Sequence, residues 1–317
     1  MIDGIKLYAR IDDFDSWQAS SDLEFKTDLN IETGEIGSTL QLADGGIKQV
    51  FEFKCKFGSY SLTLKRVSIM KSEAVLSKVA HLIIRGSLHK NYHKGFNSPD
   101  FTFSQLLDEI SWLSKKVKIS PENLILKNLE FGLNIEVDFP VFDFLSRNLV
   151  IYKFHQFNRY APDQTGKSIG FYCPLSQYSL KIYDKAKQYG LKSNILRVEL
   201  RYKKMAPLKG IRANSLKDLG STLVLNELFA KLTKAWEHVL LFDVSELNEV
   251  PKLFVATPEF ILNAKNPKYW EKLKLDNGNS YFYYRKKFNS YLASNYNLIH
   301  SSISTKMRDK MDGLLLQ

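Results

Sequence analysis

Three stretches of the chain carry residues that could together transfer a phosphodiester. Glu130 stands in the first, Tyr183 with Lys185 in the second, and Glu199 between Arg197 and Arg201 in the third. A phenol can serve as the nucleophile, because its oxygen accepts a phosphoryl group covalently and later returns it. The charge that builds on the phosphoryl oxygens needs a divalent metal or fixed cations. A hard ion such as Mg2+ or Mn2+ takes oxygen ligands, which Glu130 and Glu199 supply. The same residues also suit a plainer role, since cross-strand Glu–Lys and Glu–Arg pairs support ordinary sheets. Composition and spacing leave the two readings level.

The elements that must position these residues are legible as periodicities. In Leu124–Phe139 the odd positions Ile125, Leu129, Phe131, Leu133, Ile135 and Val137 are apolar, with Lys127 the exception. The even positions, Glu130 among them, form a polar face. In Tyr178–Lys185, Leu180 and Ile182 oppose Ser179, Lys181, Tyr183 and Lys185; in Ile195–Lys203, Leu196, Val198 and Leu200 oppose Arg197, Glu199 and Arg201. Each reads as a strand with one buried face and one solvent face that bears the chemistry. Earlier strands are expected at Ile5–Ala9, at Phe51–Phe57 with a turn at Gly58-Ser59, and at His81–Arg85. A helix is expected from about Ser104, as N-cap, to Val117, ahead of Pro121. After about Lys209 the period lengthens to 3.6: Leu225, Leu228, Leu232, Trp236 and Leu240 make one helical stripe. Further helices are expected at Pro258–Ala264, Tyr281–Ala293 and Ser302–Met311. The expectation is an α+β protein, with an antiparallel-sheet domain over 1–210 and a helical domain over 211–317.

Bulk properties narrow the partners. The formal charge is +11, with cations interleaved with aromatics as in Tyr283-Tyr284-Arg285-Lys286-Lys287-Phe288. That pattern favours a polyanion, and single strands in particular, where bases stack on rings while cations follow the phosphates. No run of eighteen apolar residues is present and the opening lacks a signal-peptide pattern, so no membrane association is expected. Cys55 and Cys173, outside any metal-ligand spacing, suit a reducing cytoplasm. No Gly-x-x-x-x-Gly-Lys-Ser/Thr loop exists, so ATP is not implied.

Tyr178-Ser-Leu-Lys-Ile-Tyr-Asp-Lys185, followed by Leu196-Arg-Val-Glu-Leu-Arg-Tyr-Lys203, resembles the paired strands of rolling-circle replication initiators. These are the plasmid initiators of the replication-initiation-factor family and the gene II replication proteins of filamentous phages. Met1-Ile2-Asp3, Gly86-Ser87-Leu88-His89-Lys90 with Gly95-Phe96-Asn97, and Tyr281–Lys286 resemble further segments in collinear order. The resemblance implies an HUH-like nicking-endonuclease domain followed by a helical DNA-binding or accessory domain. It implies Tyr183 as nucleophile, Lys185 as its charge-stabilising neighbour, and Glu130 and Glu199 as ligands of Mg2+ or Mn2+. The phage proteins have aspartate where Glu130 stands. DNA contacts are expected from Lys90, Lys181, Arg197, Arg201, Arg285, Lys286 and Lys287. The implied activity is nicking of one origin strand, leaving a 5′-phosphotyrosine and a 3′-hydroxyl primer, with host helicase and polymerase as partners.

The histidines form no His-hydrophobe-His pair. His155, between the Glu130 and Tyr183 strands, either completes the metal shell or is a hydrogen-bonded surface residue. His89 and His93 have ligand spacing if helical, but Gly86 and Gly95 favour a loop that touches phosphate. The segment from Lys286 to Leu316 fits a helix-turn-helix joined near Asn295–Asn297 and a pair of core helices equally well. Two rival functions stay open: a non-catalytic origin-binding regulator, and a metal nuclease in which the tyrosine is structural.

Overall fold

Alternation of period two dominates the first part of the chain, and it folds accordingly in a computed structural model that describes residues 1–27, 38–43, 46–71, 74–161, 166–242, 258–295 and 299–317. Two units are assembled from non-contiguous segments. Unit 1 comprises Met1–Phe131, Arg201–Leu228 and Leu314–Gln317; unit 2 comprises Gly132–Leu200 and Phe229–Gly313.

In unit 1, strand β1 (Ile2–Ile11) buries Ile5, Leu7 and Ala9, and helix α1 (Phe14–Ser20) starts on the Asp13 side chain. Short β2 (Lys26–Thr27) and β3 (Ser38–Gln41) flank long β4 (Ile47–Phe57), β5 (Tyr60–Lys71) and β6 (Ala74–Ser87). The strand expected at His81–Arg85 is thus the end of a longer one. Gly58-Ser59 makes the two-residue β4–β5 turn, and Gly58 has the positive φ (50°) such turns require. With β7 (Ile125–Glu136) the order is β2-β4-β5-β6-β1-β7, β3 also pairing β4. These neighbours pair antiparallel.

Helix α2 (Leu88–Tyr92) replaces the loop expected around His89, because the Ser87 hydroxyl caps the Lys90 amide. Helix α3 (Phe103–Val117) buries Leu106, Ile110, Leu113 and Val117 as its stripe requires. Its N-cap is Thr102 rather than Ser104, in a capping box where Thr102 and Gln105 satisfy each other's backbone amides.

Unit 2 begins within β7 and continues through α4 (Val141–Asn148), β8 (Leu149–Tyr152), β9 (His155–Gln156), β10 (Asn158–Tyr160), β11 (Gly170–Pro174), β12 (Tyr178–Asp184), α5 (Lys185–Tyr189) and β13 (Ile195–Tyr202). Its sheet runs β10-β11-β12-β13-β7. Helix α6 (Thr222–Glu237) carries Leu225, Leu228, Leu232 and Trp236, all buried. Leu240 leaves that stripe for β14 (Val239–Leu241), which joins a small sheet, β14-β8-β9. Helices α7 (Pro258–Ala264), α8 (Pro267–Asp276), α9 (Gly278–Asn295) and α10 (Ile299–Leu315) follow; α8 had no sequence expectation. Val150, Phe242, Phe260, Trp270, Tyr281 and Phe288 share one core, closed by a Trp270 indole hydrogen bond to the Ala264 carbonyl (2.8 Å). Phe288 and Leu292 are thus core residues of α9, while Asn297 of the expected helix-turn-helix junction lies outside the described residues. No described helix is long and apolar enough to cross a membrane.

Candidate active site

Within unit 2, Lys181 and Tyr183 project from one face of β12, and Arg197 and Glu199 from one face of β13. Glu199 is the centre. Its Oε1 accepts from Lys181 Nζ at 2.7 Å, and its Oε2 accepts from Arg197 Nε at 2.8 Å and from the Tyr183 hydroxyl at 3.4 Å. Arg197 also donates to the Asn134 side-chain oxygen on β7 (3.0 Å). Close strand approach creates the cluster. A Cβ on Gly132 would come within 2.3 Å of the Val198 carbonyl oxygen, and one on Gly170, opposite Tyr183, within 2.3 Å of the Tyr183 Cβ. Glycine is required at both positions.

The expected solvent face is buried. Tyr183 is 3% exposed, Glu199 and Lys185 0%, and Arg197 1%. The Tyr160 ring of β10 lies 5.1 Å from that of Tyr183, and Lys181 Nζ lies 5.3 Å from the Tyr160 centroid. Lys185 is also displaced from its expected element. The strand ends at Asp184, whose side chain caps α5, so Lys185 is the first helical residue. Its ammonium donates to Gln188 (3.0 Å) and sits over the rings of Tyr183 (5.5 Å) and Tyr189 (5.1 Å). One carboxylate therefore shares this buried space with three cations. Such a setting can take the proton of a phenol and offset negative charge arriving beside it. The same cluster also satisfies every oxygen of a buried glutamate, as a structural network must.

A second carboxylate group lies within unit 1. Glu130 on β7 has Asp3 of β1 close by, with carboxylate oxygens within 4.8 Å of each other. A bulge makes this juxtaposition. Ile2 pairs with Phe131 and Ile5 with Leu129, so Asp3 and Gly4 together oppose Glu130 alone. Asp3 is 4% exposed and accepts hydrogen bonds from Ser87 and Asn97, whereas Glu130 pairs with half-exposed Arg201 at 3.4 Å. Oxygen-only donors of this kind fit a hard divalent cation. Periodicity assigns Asp3 no role, because only the bulge turns it toward Glu130.

Other expected residues lie elsewhere. His155 pairs with Tyr152 in the small sheet and packs against Phe154 at 4.3 Å; it is in no group of three or more potential metal ligands among the described residues. His89 is 1% exposed and stacked on Phe101, which denies it a phosphate, while partly buried His93 meets the Asp100 carbonyl oxygen. Arg285 faces inward, 8% exposed, and donates to the Lys153 and His238 carbonyls and the Tyr281 hydroxyl, each at 2.8 Å. Arg201 and Lys286 are exposed, and Lys90 and Lys287 are partly buried.

No protein-family model and no curated protein matches the chain. Among solved structures it is similar to a rolling circle replication initiator protein from Geobacillus stearothermophilus, at 9% identity and a TM-score of 0.34, over 84% of this chain and 96% of that one. A likeness at that level decides neither fold nor activity.

Proposed function

We propose that the protein is a rolling-circle replication initiator that cleaves one DNA strand with Tyr183. The observation that carries this reading is the Tyr183 hydroxyl directed at the Glu199 carboxylate among Lys181, Arg197 and Lys185. The sequence resemblance supports it independently. In the proposed step the Tyr183 oxygen bonds to phosphorus as the bond from phosphorus to the 3′ oxygen breaks. The phenolic proton passes to Glu199, and the leaving oxygen gains a proton to become a 3′-hydroxyl. Lys181, Lys185 and Arg197 offset charge on the phosphoryl oxygens. Asp3 and Glu130 are the residues that would hold Mg2+ or Mn2+, the class of ion that polarises a phosphate. Arg201, Lys90, Lys286 and Lys287 would contact DNA. Residues 1–210 would carry the cleavage chemistry and 211–317 duplex recognition, in the host cytoplasm beside helicase and polymerase.

The test is to incubate the protein and manganese with supercoiled DNA from the element that encodes it, and to probe for protein joined to a 5′ end. A covalent adduct lost in Tyr183→Phe is expected. Nicking without an adduct would instead assign water as nucleophile. A second reading, a DNA-binding regulator without cleavage, is favoured by the burial of Tyr183 at 3% exposure. It predicts selective binding with neither nick nor adduct.

A further inference from the structure

Two open clefts of unit 1 adjoin at Phe57 and Lys116, which line both. The first, about 570 Å³, gathers Lys26, Lys54, Lys56 and Lys116, with Asp22 and Glu24 as the acidic residues of its lining. Lys26 and Lys54 stand directly opposite each other in the β2–β4 register. Lys56 follows on the same face of β4. The second cleft, about 520 Å³, is floored by Trp112 of α3 beside Tyr92 and Lys94, with Asp108 and Glu109 its acidic members.

Trp112 is 43% exposed, whereas Trp17, Trp236 and Trp270 are at 8% or below. Its ring is nevertheless held. Phe57 meets it at 5.8 Å edge-on, and Tyr60 stacks at 6.3 Å with 25° between planes. Tyr60 is fixed in turn, its hydroxyl donating to Glu109 at 2.6 Å while Asn91 donates to the same oxygen at 2.9 Å. A rigid exposed indole beside converging lysines combines the two elements of sequence-tolerant strand binding: a stacking platform and a cationic track.

We propose that single-stranded nucleic acid runs through these two clefts, with a base stacked on Trp112 and phosphates at Lys54, Lys56 and Lys116. Its lining does not include Tyr183, and binding there does not require cleavage. The test uses the full chain and an oligodeoxythymidylate of about 20 nucleotides, long enough to fill such a site. Saturable quenching of tryptophan fluorescence is expected, since Trp112 is the exposed indole. Trp112→Phe should abolish the quenching while keeping an aromatic support for Phe57 and Tyr60, and Trp112→Ala should weaken binding roughly tenfold. Lys56→Gln with Lys116→Gln should lower the slope of log affinity against log salt by about 0.7 per lysine. Unchanged quenching in Trp112→Phe, or an unchanged slope in the double variant, would overturn the proposal. So would complete competition by inorganic phosphate at equal nucleotide concentration, which would mark a simple anion site. Since the readout is binding alone, a failed nicking assay leaves this result standing, and the reverse also holds.

Discussion

Glu199 is a buried carboxylate held by two buried cations, so the cost of changing it falls first on stability. Glu199→Gln would leave Lys181 and Arg197 without their counter-charge, at about 3 kcal/mol. Pairing it with Lys181→Met removes one of the stranded cations and should restore part of the loss. Denaturant midpoints of the two variants check this, and equal midpoints would mean that Lys181 finds another partner. Tyr183→Phe removes one hydroxyl hydrogen bond of 3.4 Å, so its stability should fall by no more than about 1 kcal/mol. A nicking loss beyond a thousandfold alongside a near-native midpoint would separate a chemical role from a packing one. The residue types at this site were readable from the alternation of β12 and β13. Their burial was not, because a polar strand face looks the same whether water or another charged face covers it.

Among the elements, α3 offers the sharpest local test. Thr102→Ala deletes the side chain that caps Gln105 and should cost about 1 kcal/mol, whereas Ser104→Ala should be nearly neutral. Thermal unfolding midpoints of the two variants decide it, and the opposite ranking would restore Ser104 as the cap. Regular elements were legible where one period held throughout. Pro258–Ala264 fell where expected because proline starts that helix and the apolar spacing is unbroken. Lys127 looked like a flaw in the alternation of β7, but it marks a second bulge: Lys6 pairs with Asn128 and Leu7 with Leu126, so Lys127 is skipped and Leu126 turns inward. Leu240 continued a helical spacing yet sits on β14, paired with Ile151, a long-range partner that local pattern cannot reveal. Arg285, in a run of exposed-looking cations and rings, is drawn inward by the Lys153 and His238 carbonyls, both distant in sequence, with the Tyr281 hydroxyl one helical turn before it.

At the scale of the whole molecule, histidine burial sets a pH dependence. His300 stacks on Trp236 at 5.0 Å, and burial above all, with Arg285 adding to it, holds its pKa below the ordinary 6.5 against the opposing backbone hydrogen bond to Trp236 and the Glu237 charge. His238 is lowered likewise by burial, then by Arg285, Lys153 and Lys234, with Glu237 opposing. The unfolded chain thus binds protons from about 6.5 downward while the folded chain does not, until its lower pKa values are reached. Through that interval stability falls as pH falls. Denaturant midpoints measured between about pH 7.5 and about pH 5.5 should decline, and His300→Gln should flatten part of the decline. A midpoint that rises on acidification would contradict this sign. A fragment ending near Gly210 is expected to fail as an independent domain, because it lacks Phe260, Trp270, Tyr281 and Phe288 from the core around Val150, as well as Leu225 and Leu228 of unit 1. A cooperative unfolding transition in that fragment would show that the strand-rich part is self-sufficient.

The interleaving of the two units also sets an order of events during synthesis. A chain emerging from the ribosome can zip β1, β4, β5 and β6 together once Ser87 is out, since their pairings are contained in the first 87 residues. Unit 1 nevertheless stays open until Arg201–Leu228 and then Leu314–Gln317 have followed. Until those segments are out, the nascent protein presents an unfinished unit 1 to chaperones.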